Sequence, residues 1–172
     1  MFSRLPDHNN AAFIIIQHLH RNFRSLTDEL LTPFTKMPVQ RAVEGMLIRP
    51  NCVYVLPENK MMTVKVGCLI VTDRPPEQII NRAVDIFFES LSVDMQARAI
   101  GVVLTGEGTD GTAGSYLIYK NGGIVMVQTP STAEFKGMPQ SLVSHYHPNF
   151  NMPIEGLVDT LIKLTSLEKQ PD

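Results

Sequence analysis

Apolar residues fall into short blocks of two kinds, separated by clusters of glycine, proline, asparagine and aspartate. Residues 11–16, Ala-Ala-Phe-Ile-Ile-Ile, form one continuous apolar run. Residues 52–56, Cys-Val-Tyr-Val-Leu, and 100–104, Ile-Gly-Val-Val-Leu, form two more. Such runs, rich in β-branched residues and closed by turn formers, predict strands buried on both faces. Residues 124–127, Ile-Val-Met-Val, follow Gly122-Gly123, end in Gln128-Thr129-Pro130 and predict a fourth. Residues 61–65 and 68–72 flank Val66-Gly67, the pattern of a hairpin.

The other blocks keep a helical period. Ile79, Ile80, Ala83, Val84, Phe87, Phe88 and Leu91 place one broad apolar face on a helix over residues 79–95, after the stiff Arg74-Pro75-Pro76 linker. A helix starting near Ser25 takes Leu26, Leu30, Leu31 and Phe34 as its apolar face, with Ser25 as N-cap and Asp28 as a weak capping-box partner. Tyr116, Leu117 and Ile118 mark a third helix, stopped at Asn121-Gly122-Gly123. Ser131 is placed to cap a short helix, Gly137-Met138-Pro139 forms a second tight element, and Ile154, Leu157, Val158, Leu161 and Ile162 mark a closing amphipathic helix. Strands alternating with helices define an α/β class with a mostly parallel sheet.

Composition narrows the possibilities without changing that picture. A chain of 172 residues, 44% hydrophobic and 19% charged, fits a single globular domain with a real core. The domain is expected to span residues 1–172, with 168–172 a frayed tail. A net charge of −2 and the absence of basic clusters interleaved with aromatics give no reason to expect nucleic acid. No apolar run approaches the ~20 residues of a membrane span, and the N-terminus lacks the apolar core of a signal peptide. Cys52 and Cys68 are expected as buried thiols in a reducing cytoplasm.

Candidate chemistry concentrates where the strand at residues 100–104 breaks into Thr105-Gly106-Glu107-Gly108-Thr109-Asp110-Gly111. In an open α/β sheet, ligands bind beyond the carboxyl ends of the strands. Asp110 falls there, and so does His18, just past the run at 11–16. A carboxylate beside an imidazole fixes its tautomer and stabilises the imidazolium, so the pair forms the orienting half of a nucleophilic site. Packing against the sheet is the competing reading for His18.

Two further patterns compete. Gly106-x-Gly108-x-x-Gly111 has dinucleotide-fingerprint spacing, yet the next strand ends in Gln128-Thr129 without the required carboxylate, and Asp110 places negative charge where a pyrophosphate would lie. His18-x-His20 and His145-x-His147, with Asp110 or Glu107, suggest a hydrolytic metal site, but Arg21 adjoins the first pair and nothing links the two.

Ile15-Ile16-Gln17-His18-Leu19, then Val102 to Gly111, then Ala133-Glu134-Phe135-Lys136-Gly137-Met138-Pro139 occur in an order and spacing that resemble the catalytic domain of CheB-type chemotaxis protein-glutamate methylesterases. The resemblance covers roughly residues 2–165 and is greatest to the variety fused ahead of a CheR-type methyltransferase. It implies a doubly wound α/β domain with a mainly parallel sheet and a small antiparallel hairpin. It also implies hydrolysis of glutamate γ-methyl esters on chemoreceptors, with glutamine deamidation in some members, in the cytoplasm and without a cofactor or metal. A Ser-His-Asp triad is implied, with His18 and Asp110 as two members. The Gly106-Glu107-Gly108 turn would supply an oxyanion N–H, and Gly137-Met138-Pro139 would line the cleft. Many members carry Met where Glu107 stands; Glu107 is expected to point to solvent, because a carboxylate aimed inward would oppose a developing oxyanion.

The nucleophile has no counterpart here. The family's serine lies in a Gly-x-Ser-x-Gly-Gly-like turn after the first strand, upstream of the match to Met1–Pro6. Ser3 matches a helix position and Ser25 a helix start. The sequence therefore predicts an esterase domain inactive as it stands, truncated at its N-terminus, and expected to pair with a second copy through its unpaired strand edge. A non-catalytic CheB-like binding module and a metal-dependent hydrolase are the alternatives.

Overall fold

The computed structural model describes residues 1–18 and 24–166; the expected frayed tail at 168–172 lies outside them. The strands are β1 (Phe13–Ile15), β2 (Val39–Arg41), β3 (Met46–Leu47), β4 (Val53–Val55), β5 (Lys60–Lys65), β6 (Cys68–Asp73), β7 (Ile100–Val103), β8 (Ile124–Gln128) and β9 (Phe150–Met152). The helices are α1 (Thr27–Leu31), α2 (Ala83–Met95), α3 (Thr112–Lys120), α4 (Gly137–His145) and α5 (Ile154–Ser166). Among the described residues the strands form two parallel trios, β1-β4-β2 and β7-β8-β9, and an antiparallel trio, β3-β6-β5. This is the α/β architecture that the alternation of blocks predicts.

Side-chain parity shows how the parallel trios relate. Ile14, Tyr54, Val103, Val125 and Val127 point into one core with Phe87, Phe88, Ile118 and Leu142 from α2, α3 and α4. Phe13, Ile15, Val53, Ile100, Val102 and Met126 point into a second core with Leu157, Val158 and Leu161 of α5 and with Leu5. Both trios thus contribute alternate residues to the same two layers, with helices on each side. The central strands β4 and β8 are buried almost throughout, whereas β1 is only half-buried despite being wholly apolar. Among the described residues β1 pairs only with β4 and β7 only with β8.

The hairpin forms as predicted. Val66 (φ 52°) and Gly67 (φ 70°) take the left-handed geometry of a tight two-residue turn, and their N–H groups donate to the Asp94 carboxylate of α2. Tyr54 Oη accepts from Arg49 N–H at 2.9 Å and donates to Leu47 O at 3.2 Å, joining the small sheet to β4.

Two helices differ from expectation. The helix after Ser25 is a single five-residue segment followed by a 3-10 turn at Thr32–Phe34, where Pro33 removes a donor. Its expected apolar face is largely in water, with Leu30 66% and Phe34 59% exposed. Polar contacts on its other side hold it. α2 begins at Ala83, leaving Ile79 (90%) and Ile80 (75%) exposed; Asn81 Oδ1 accepts from Ala83 N–H and starts the helix there. Ser131 caps nothing and sits inside a 3-10 turn. Cys52 and Cys68 are free and only partly buried, not core thiols as expected.

Candidate active site

His18 follows β1 by three residues, and Asp110 lies in the loop between β7 and α3. The fold brings them together: His18 Nε2 is 2.5 Å from Asp110 Oδ2. The histidine side chain is 32% exposed and the aspartate 5%, so the pair has one open side and one closed side. Nε2 is the ring nitrogen that faces the acid.

Asp110 is bound on every side that is not histidine. Oδ2 also accepts from Val84 N–H at 2.9 Å, and Oδ1 accepts from Asp85 N–H at 2.8 Å and from Gly111 N–H at 3.0 Å. The carboxylate thus sits on the positive end of α2, a site built for an anion. Burial alone pushes the Asp110 carboxyl up; the hydrogen bond to His18 and the N–H groups of Asp85 and Val84 override it and hold it below the usual carboxylate range.

The histidine arm is held by residues that spacing does not reveal. Thr27 Oγ1 donates to Gln17 Oε1 at 2.5 Å, next to His18, and Thr27 N–H reaches Ser25 Oγ at 3.3 Å. Arg41, on β2, donates to Asp28 Oδ2 at 3.0 Å, to Glu58 Oε2 at 2.9 Å and to Ser25 O. The Arg41 guanidinium hydrogen-bonds Asp28 and holds its carboxyl below the usual range. Asp28 therefore serves this ion-pair cluster rather than a capping box.

The glycine loop is fastened to the Gly137-Met138-Pro139 segment. Gly106 N–H donates to Phe135 O at 2.8 Å, and Met138 N–H donates to Gly106 O at 2.8 Å. Met138 Sδ packs where a side chain on Gly106 would have to go. Gly106 N–H is thus committed to Phe135 O; of the turn expected to serve an oxyanion, the N–H groups of Glu107 and Gly108 donate no hydrogen bond among the described residues. Glu107 is exposed, as expected, and leans on the first residue of α4: a Cβ on Gly137 would fall 3.0 Å from its Oε2.

The competing sites gain little. N–H groups of Gly111 and Gly114, at the start of α3, donate to the Asp85 carboxylate, occupying the place a phosphate would take. Among the described residues no three His, Cys, Asp or Glu side chains converge to hold a metal. His145 Nδ1 lies 2.7 Å from Ser141 O, and His20 falls outside the described residues.

The site is a buried acid hydrogen-bonded to a partly exposed imidazole at the strand ends of a doubly wound α/β domain. The family model "CheB methylesterase" matches residues 1–161, and the chain belongs to that family. It is 30% identical over 171 residues to protein-glutamate methylesterase/protein-glutamine glutaminase 2 of Burkholderia pseudomallei, covering 99% of this chain and 50% of the relative. It is 27% identical over 171 residues to the protein-glutamate methylesterase/protein-glutamine glutaminase of Pyrococcus horikoshii, covering 97% and 46%. The chain spans about half the length of the curated relatives it matches. The crystal structure of the Thermotoga maritima CheB methylesterase catalytic domain superposes with a TM-score of 0.84 at 24% identity, covering 95% of this chain and 89% of that one.

Proposed function

We propose that this chain is the acid–base half of a protein-glutamate methylesterase. His18 serves as general base and then general acid, and Asp110 orients it. The single observation carrying this reading is the 2.5 Å contact between His18 and a carboxylate whose remaining positions are filled by backbone N–H groups. With Nε2 held by Asp110, Nδ1 takes the proton of the attacking hydroxyl and returns it to the leaving methanol. The free N–H groups of Glu107 or Gly108 receive the oxyanion. The same acyl chemistry with ammonia as leaving group gives glutamine deamidation, which the names of the relatives also describe. The substrate is a methylated glutamate on a receptor-type protein, and a CheR-type methyltransferase is the enzyme whose product this reaction would consume.

The nucleophile comes from a strand and turn that join the sheet between β1 and β7. Three observations support that slot: among the described residues each strand pairs on one edge only, both feed the same two cores, and His18 meets Asp110 at its carboxyl end. Among the described residues no serine hydroxyl hydrogen-bonds His18, and Ser25 is occupied by Thr27.

The test compares two proteins. The 172-residue chain is expected to show negligible methylesterase turnover and to take no serine-directed fluorophosphonate label. Extending it by roughly thirty residues, one strand, turn and helix containing Gly-x-Ser-x-Gly, restores both, and His18→Ala in the extended protein abolishes turnover while leaving the fold. An extended, folded protein that neither turns over nor labels would make the domain a non-catalytic relative. Stoichiometric labelling of a serine in the short chain would show that the nucleophile lies elsewhere.

A further inference from the structure

We propose that Asp85 is a positioning residue for the His18–Asp110 pair, acting through a clasp in which two helices each hold the other's carboxylate. This rests on the reading of His18 and Asp110 as the working pair. N–H groups of α2, from Val84 and Asp85, donate to the carboxylate of Asp110, which stands just ahead of α3. In return, Asp85 Oδ1 accepts from Gly111 N–H at 3.0 Å and from Gly114 N–H at 2.8 Å, at the start of α3. Two helix N-termini abut here, and their like partial charges would repel without the two acids between them.

The steric fit is specific to this clasp. Gly111 has φ 90° and leaves no room for a side chain, because a Cβ would fall 2.8 Å from Val84 Cγ1. A Cβ on Gly114 would lie 3.0 Å from Asp85 O and would run into Phe88 Cβ. The spacing Asp110-Gly111-x-x-Gly114 therefore lets α2 approach closely enough for both sets of hydrogen bonds. Gly111 N–H is shared, 3.0 Å from Asp85 Oδ1 and 3.0 Å from Asp110 Oδ1. Removing the Asp85 acceptor releases the backbone that aims Asp110 at His18. Arg82 Nη2 lies 3.6 Å from the outer oxygen, Asp85 Oδ2.

Among the described residues no hydrogen bond joins Asp85 to His18, so the readout must be the state of Asp110. In the 172-residue chain, ¹³C NMR of the Asp110 side-chain carboxyl is followed against pH in the wild type, Asp85→Asn and Asp85→Ala. Asn keeps an oxygen acceptor for Gly111 and Gly114 while removing the charge. The clasp therefore predicts an Asp110 titration at or below the wild-type position in Asp85→Asn and shifted upward in Asp85→Ala. Loss of a neighbouring negative charge alone would shift both downward, and a merely structural residue would move neither in the folded population; either result overturns the proposal. Should Asp85→Ala fail to fold, the wild type still decides: Gly111 and Gly114 amides are expected to exchange slowly, and exchange as fast as the exposed loop at Gly108 would refute the clasp. None of these readouts uses turnover, so an inactive extended protein would remove the esterase reading and leave the clasp standing.

Discussion

At the scale of single residues, Asp110 is where burial and charge oppose each other most directly. Its side chain is 5% exposed and its three backbone donors come from two different helix starts. Asp110→Asn keeps one acceptor oxygen but turns an NH₂ group toward Val84 N–H or His18. A buried donor left unpaired costs about 1–3 kcal/mol, so urea unfolding at pH 7 is expected to show a loss of that size. The native carboxyl is held below its ordinary value of 3.8. Its contribution to stability is therefore complete above the unfolded value and disappears as pH falls through the lowered native value. The wild type should thus lose more stability between pH 5 and pH 2 than Asp110→Asn does, measured as urea midpoints; equal slopes would place the acid's stabilisation elsewhere. Both members of the pair were legible in the sequence, because each follows an apolar run at a point where a turn must form. Asp85 was not: it sits inside a helical pattern, and only the docking of α2 on α3 gives it partners. Arg41 was hidden for a similar reason, since its ligands Asp28 and Glu58 come from separate elements.

At the scale of elements, long apolar blocks were read correctly and short ones were not. β2, β3 and β9 lack the continuous apolar runs that mark β1 and β4: Gln40 and Arg41 interrupt β2, Asn151 interrupts β9, and β3 has two residues. The apolar period around α1 misled because polar contacts through Ser25, Thr27 and Arg41 govern that segment. Two substitutions test local geometry. Val66 is β-branched at φ 52° and 82% exposed. Such a residue in left-handed backbone costs on the order of 1–3 kcal/mol, whereas Asn tolerates it. Val66→Asn should therefore stabilise the protein by about 1 kcal/mol in thermal or urea unfolding. Gly114→Ala forces a methyl into Phe88 and the Asp85 carbonyl. A loss of about 1–3 kcal/mol is expected from such overpacking, and a neutral result would mean that α2 and α3 can slide apart.

At the scale of the whole molecule, the edges of β1 and β7 that pair with no strand among the described residues set the behaviour of this chain. Unpaired strand edges recruit other strands. The 172-residue chain is accordingly expected to self-associate through β1 or β7, and a scattering mass of 19.2 kDa at every concentration would count against that. The same feature bears on how the domain breathes. Among the described residues, no strand pairing ties β1 to β7; the two trios meet through interlocked side chains, the His18–Asp110 hydrogen bond and the single backbone bond from Asn10 N–H to Thr165 O. Cooperative units follow hydrogen-bonded frameworks as well as cores. The amides of β4 and β8 should therefore report two separate opening free energies in native-state exchange, and a strand seated between the halves would fuse them into a single unfolding unit, so that completing the site would also convert a hinged domain into a rigid one.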